Sequence, residues 1–339
     1  MKKAIISVGI ICALITGCGS NSVQENALSE KGVTITNVSY DPTRELYSEY
    51  NKLFTKHYKE SNGIDVEVIQ SHGGSGGQAR SVVEGADADV VTLALAHDIT
   101  LIENAGLIEN GWINEFERDS SPYTSTIVFL VRKGNPKDIK DWDDLIKDGV
   151  GVISPDPKSS GAACWNFLAA WYYAQQQFGS DENSIKDFMA KLYSNVLVMD
   201  SGARGSTTTF VENGQGDVLV SWENEAIATT KEYPGEYVIV SPSISILAQP
   251  SVAIVDENAG KNGTQDVAHD YLAYLYSEEA QKLIGEYGYR PSDEVILNQY
   301  ADKFDLDMKL CNVNDFGGWD AAYERFFMDG AVFDEIYGQ

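Results

Sequence analysis

The sequence predicts an α/β protein of two units, each a mostly parallel sheet flanked by helices. Two observations carry this: short apolar runs rich in Val and Ile alternate with segments of helical period, and the alternation starts afresh after a polar break at Arg118–Pro122. A chain of 339 residues has length enough for two such units, each burying its own core, and 43% hydrophobic with 11% aromatic residues is a globular composition.

The elements follow in order. VTITNVSY, residues 33–40, reads as a strand. Asp41 as N-cap and Pro42 as first helical residue then start a helix through TRELYSEYNKLFTKHYKE. A strand over 65–70, a glycine turn, a helix near 77–84 and the apolar run Val90–Leu95 complete the first unit. In the second, YTSTIVFLVRKG is a strand, DWDDLIKDG a helix, GVISP a short strand, and the loop from Asp156 feeds a long helix ending before Gly179. VLVMDSGARG into TTTFVENG, and DVLVSW into ENEAIATTKE, repeat the theme. Pro250 inside ISILAQPSVAIVD suits a segment crossing between the units rather than a central strand. The first lobe therefore takes residues 33–122 and about 246–300, the second takes 123–245, and 301–339 belong to a C-terminal segment whose lobe stays open.

Ahead of these, Lys2 and Lys3, a run of about a dozen apolar residues and small residues around Cys18 form an export signal, too short for a stable span. Leu14-Ile15-Thr16-Gly17-Cys18 resembles the lipobox of bacterial lipoproteins, which implies cleavage after residue 17, acylation of Cys18 and a polar tether over 18–32. The formal charge is −26, and removing residues 1–17 with their two lysines leaves −28. That charge disfavours nucleic acid and anionic lipid as primary partners. Cys164 and Cys311 remain in the body, free to pair or not, and His57, His72, His97 and His269 lack metal-ligand spacing, so no metal or organic cofactor is expected.

Four places share one pattern, a strand end followed by small residues and a helix start: Tyr40–Thr43, Gly73–Gly77, Ser159–Ala163 and Ser201–Gly205. Helix N-termini carry free N–H groups and roughly half a positive charge each, so three or four converging ends supply on the order of +1.5 to +2 without any formal cation. That would balance a dianion. The spelling GSGGQA at Gly74–Ala79, with Asp98 downstream as ribose partner, also fits a loose dinucleotide pattern and leaves an NAD-type enzyme as an alternative. No GK[ST] or GxSxG occurs, and a surface protein without any small ligand is the third reading.

The stretches VSYDPTRELYSEYNKLF, QSHGGSGGQARSVVEG, PDPKSSGAACWNFLAAW, DSGARGSTTTFVENGQGDVLVSWENEA and FGGWDAAYERFF together resemble the bacterial sulfate-binding proteins of ATP-driven sulfate importers, in order and over nearly all the chain from about residue 33. The resemblance implies a two-lobed periplasmic-binding-protein fold of type II that closes over one dehydrated sulfate, with no catalysis. It implies N–H donors at Asp41, Ser75, Gly161, Ala162 and Ala203, completed by the Ser160 hydroxyl and the Trp222 indole. The Asp41 carboxylate is expected to cap its helix and point away from the anion, since a carboxylate pointing in would suit phosphate. Asp156, Ala162 and Cys164 depart from the family's usual asparagine, glycine and arginine, which opens thiosulfate or another tetrahedral oxyanion as ligand. The implied partners are the importer's membrane permease and, through Cys18, the membrane; the soluble part is expected to be a monomer outside the cytoplasm.

Overall fold

The computed structural model describes residues 32–337. The expected signal over 1–17, the lipidated Cys18 and the tether up to residue 31 lie outside the described residues.

Strand Val33–Tyr40 is central in the first sheet. It pairs in parallel with Val66–Gly73 along its full length and, on its other side, with Val90–Leu93. The four residues of Val90–Leu93 are all buried, as in a strand covered on both faces, with the Thr92 hydroxyl satisfied by Asn37 and Ser39. Strand Ser251–Ile254 closes the sheet antiparallel to it. Helix Arg44–Asn62 lays Tyr47, Tyr50, Phe54 and Tyr58 against this sheet at helical spacing and ends where Gly63 turns left-handed, with φ 71°.

The second sheet has five strands in the order Val196–Val198, Val152–Ile153, Val218–Trp222, Ile127–Arg132, Tyr237–Val240. Four of its strands run in one direction, and Ile127–Arg132 alone runs antiparallel to both its neighbours. That strand arrives from the first sheet instead of through a helical crossover, so nothing imposes the parallel direction on it. Helix Gly161–Phe178 is apolar nearly all round and correspondingly buried. The C-terminal segment packs on it: Trp319 meets Trp165 edge to face at 4.6 Å, and Phe326 and Phe327 lie 5.5 and 5.3 Å from Phe167.

Three expectations change. The run DWDDLIKDG forms only the 3-10 turn Trp142–Asp144, closed by a reciprocal capping box between Asp141 and Asp144. So short a segment does not repay helix nucleation, and the Trp142 indole is instead anchored on the Ile244 carbonyl at 2.8 Å. The single strand expected over 123–134 is two: Tyr123–Thr124 pairs with Arg290–Pro291, and Ile127–Arg132 belongs to the second sheet. Likewise 244–256 divides into Ile244–Ile246, parallel to Lys309–Cys311, and Ser251–Ile254 in the first sheet. Between the two pieces Ala248 and Ser125 exchange backbone hydrogen bonds of 2.9 Å, so the crossing segments brace each other.

Candidate functional site

All four strand-to-helix turns meet at one place. A small cavity of about 10 Å³ is lined by Tyr40, Asp41, Pro42, Gly73, Gly74, Ser75, Ser160, Ala162 and Ala203. Since one water-sized sphere needs about 10–15 Å³ on the same measure, that is room for one compact group only. Among the described residues, none of those lining it is basic.

Each turn brings backbone N–H groups that a helix cannot satisfy internally. Gly74 is the cap of helix Ser75–Val83, Ser160 of Gly161–Phe178 and Gly202 of Ala203–Val211, and none of these caps makes a side-chain capping bond. The first residues of the three helices, Ser75, Gly161 and Ala203, therefore carry unpaired N–H groups, as does Ala162. Gly161 abuts Leu95, Ala94 and Ser75, which brings the long helix start against the first sheet's turn. The strand Val66–Gly73 runs three residues further than expected and the helix after it starts at Ser75, so the glycine cluster is one tight corner rather than a loop.

Asp41 departs from the expected geometry. Tyr40 takes the cap position, Asp41 and Pro42 open a 3-10 turn, and the α-helix starts at Arg44; the Asp41 carboxylate makes no capping bond. Proline at the second position leaves Asp41 inside the first turn, where its side chain cannot reach back to the N–H groups it would cap. Instead one carboxylate oxygen lies 3.6 Å from Arg44 and the other 2.7 Å from the point where a Cβ on Gly202 would stand. Burial raises this carboxyl, opposed by Arg44 and Arg204.

Ser75 is held twice. Its hydroxyl donates to Asp98 Oδ2 at 2.5 Å and accepts from the Ala94 N–H at 2.9 Å, which leaves its backbone N–H as the group free for the cavity. Asp98, 4% exposed, is pushed by burial up to about 6, against the Ser75 bond and Arg80, which pull it down. A raised carboxyl favours the folded state most when protonated, so its contribution is full below pH 4 and is lost as pH rises through 6. Asp98→Asn, which keeps an acceptor for Ser75, is expected to flatten the fall in stability between those values, worth on the order of 2–3 kcal/mol. Denaturant unfolding of both proteins at pH 4 and pH 7 checks it; parallel profiles would refute the assignment.

This geometry removes the dinucleotide alternative. Asp98 is buried beneath the glycine corner and bonded to Ser75, so it cannot take a ribose, and the cavity is too small for a nucleotide. The Trp222 indole N–H donates to the Ala162 carbonyl at 3.4 Å, the long limit of a hydrogen bond, and its ring packs 5.5 Å from Tyr40 behind the cavity. Cys164 is turned away, its thiol donating to the Pro157 carbonyl at 3.4 Å with burial pushing its pKa up; it and Cys311 are buried and unpaired. His72 is pushed down to about 4, by burial first and Arg44 second, and so stays neutral.

Two buried or half-buried networks beside the site escaped sequence reading. Arg204 bridges Glu45 at 2.7 Å and Glu225 at 3.2 Å, and Arg290 grips Glu223 with bonds of 2.7 and 2.9 Å. Glu223 and Glu225 open the helix after Trp222, where acidic residues are ordinary. Only their distance from the arginine partners hides the pairing.

Two helix-flanked sheets, braced by crossing segments and meeting at a small cavity lined by backbone donors, define a solute-binding protein of the extracytoplasmic kind and not an enzyme. The chain belongs to the bacterial extracellular solute-binding protein family, whose model matches residues 35–290. It is 53% identical over 308 residues, 90% of this chain and 93% of the other, to the sulfate-binding protein of Escherichia coli. To the thiosulfate-binding protein of Pseudomonas aeruginosa it is 45% identical, over 89% of this chain and 92% of that protein. In structure it resembles the sulfate-binding protein SubI of Mycobacterium tuberculosis with a TM-score of 0.78 at 33% identity, over 87% of this chain and 99% of that one. Among the described residues no helix is long and apolar enough to cross a membrane.

Proposed function

We propose that this protein captures sulfate outside the cytoplasm and delivers it to an ATP-driven importer. The observation that carries the reading is the convergence of four helix starts on one small cavity without a basic lining residue. In this reading the N–H groups of Asp41, Ser75, Gly161, Ala162 and Ala203 donate to the anion, joined by the Ser160 hydroxyl and the Trp222 indole. The weak Trp222 contact with Ala162 leaves the indole proton cheap to redirect. Cys18 anchors the chain to the membrane by lipid, the soluble part is a monomer, and the permease takes the ion when the lobes part.

A shell of donors explains the choice of ion. Sulfate at neutral pH offers acceptors only, whereas phosphate keeps a proton that would face other donors unpaired. The 45% identity to a thiosulfate-binding protein supports thiosulfate as a second ligand of the same site.

Calorimetric titration of residues 19–339, stripped of anion, with sulfate, thiosulfate, molybdate and phosphate tests the reading. One-to-one sulfate binding with phosphate silent is expected; a chain silent to sulfate and thiosulfate sinks it. Trp222→Phe is expected to weaken sulfate binding by about tenfold, the loss of one hydrogen bond to a charged group. Unchanged affinity would remove the indole from the shell.

A further inference from the structure

The loop Asp156–Ser160 ends at the cap of helix Gly161–Phe178 and carries one cation, Lys158. A lysine two residues from an anion cavity would ordinarily serve the anion. Here its three ammonium protons go elsewhere: to the Phe327 carbonyl at 3.0 Å, the Met328 carbonyl at 3.0 Å and Asp334 Oδ2 at 2.8 Å. Phe327 and Met328 follow helix Trp319–Phe326, so the two carbonyls belong to its negative end. Asp334 in turn accepts from the Gly330 N–H at 2.6 Å and is held below the ordinary carboxylate range by Lys158 first and Gly330 second.

The acceptors are themselves mounted on the helix that opens the cavity. Phe326, Phe327 and Phe333 all pack on Phe167 of Gly161–Phe178. The path from that helix through the C-terminal segment to Lys158 and along the loop returns to the helix start, a closed triangle whose free corner is Ser159–Ser160. The same corner touches the fourth turn, where the Ser159 hydroxyl donates to the Ser201 carbonyl at 3.1 Å and the Asp156 N–H to the Asp200 carbonyl at 2.8 Å.

We propose that Lys158 is a positioning residue: anchored by Asp334 and the two carbonyls of the C-terminal segment, it holds Ser159–Ala162 in the shape that presents their donors to the anion. The proposal rests on the anion-binding reading above. It assigns the C-terminal segment a part in affinity although none of its residues lines the cavity.

The test uses the full chain with Lys158→Met and Asp334→Asn. Lys158→Met is expected to weaken sulfate binding on the order of tenfold, the lower end of what losing an outer support costs a bound ion, with Asp334→Asn shifting it the same way by less. The loss should persist in 0.5 M sodium chloride, since a lost attraction between Lys158 and the anion would be screened at a Debye length of about 4 Å. In the ligand-free protein, amide exchange should speed up at Ser159–Ala163 and nowhere in the first sheet. Wild-type affinity and wild-type exchange in that loop would overturn the proposal. If Lys158→Met does not fold, the more exposed Asp334→Asn decides. A wild-type chain that binds neither sulfate nor thiosulfate overturns the functional reading instead, and the anchoring then stands or falls on the exchange alone.

Discussion

Gly74→Ala is expected to weaken sulfate binding by roughly a hundredfold, the scale set by misplacing a polar constellation by about an ångström. A Cβ on Gly74 would stand 2.8 Å from the Ser159 carbonyl oxygen and 2.9 Å from that of Ser201, and both obstacles are backbone. Neither turn can give way without moving Ser160, the next residue after Ser159, or Ala203, two residues after Ser201. The methyl group would wedge the first sheet's corner away from the two turns of the second, and the donors of the second would leave the anion. The ligand-free protein should remain folded, because alanine at a helix cap strains nothing once the turns separate. Gly77→Ala is the control: a Cβ there meets only a guanidinium nitrogen of Arg80, at 4.0 Å, so its affinity should match the wild type. Titration calorimetry of the two variants reads the difference, and equal affinities would show that the approach of the three turns does not matter.

The largest effect on stability is expected at Glu223. Its carboxylate and the Arg290 guanidinium are 3% and 5% exposed, joined by two hydrogen bonds, and Arg290 gives a third to the Asp305 carbonyl at 3.0 Å. Removing one partner of such a pair strands a buried charge, and Glu223→Ala should cost about 3–5 kcal/mol in denaturant unfolding. Replacing both by apolar residues, Glu223→Met with Arg290→Met, should recover most of that, since a well-packed apolar pair does about as well as a buried ion pair. A single variant within 1 kcal/mol of wild type would mean that the arginine finds water. The pair ties the helix after Trp222 to the crossing strand Arg290–Pro291, so the same variant should also blur the setting of Trp222.

Local signals made much of this legible. Strand Val33–Tyr40, helix Arg44–Asn62, the glycine corner and helix Gly161–Phe178 announce themselves through period, proline and glycine, and the four turns that share one pattern do converge. What stayed hidden was decided by partners far along the chain. DWDDLIKDG has helical period but is held by Ile244, about a hundred residues away, and Tyr123 and Ile127 part company because Arg290–Pro291 claims the first and Val218–Trp222 the second. Lys158, Glu223 and Glu225 look like ordinary solvated charges until Asp334, Arg290 and Arg204 are placed beside them. At Asp41 the structure places the helix cap one residue earlier than the sequence predicts. An Asp-Pro start is compatible with the residue before the aspartate as cap or with the aspartate itself, and only backbone angles separate Tyr40 from Asp41.

The donors around the cavity belong almost entirely to the main chain, and every residue type except proline supplies a main-chain N–H. Most single-residue replacements there leave the count of donors unchanged and alter only what crowds them. Ligand preference in such a protein can therefore drift under mutation only through bulk and through the supports behind the turns, which makes the recognition chemistry itself unusually hard to lose and equally hard to convert to a different class of ligand.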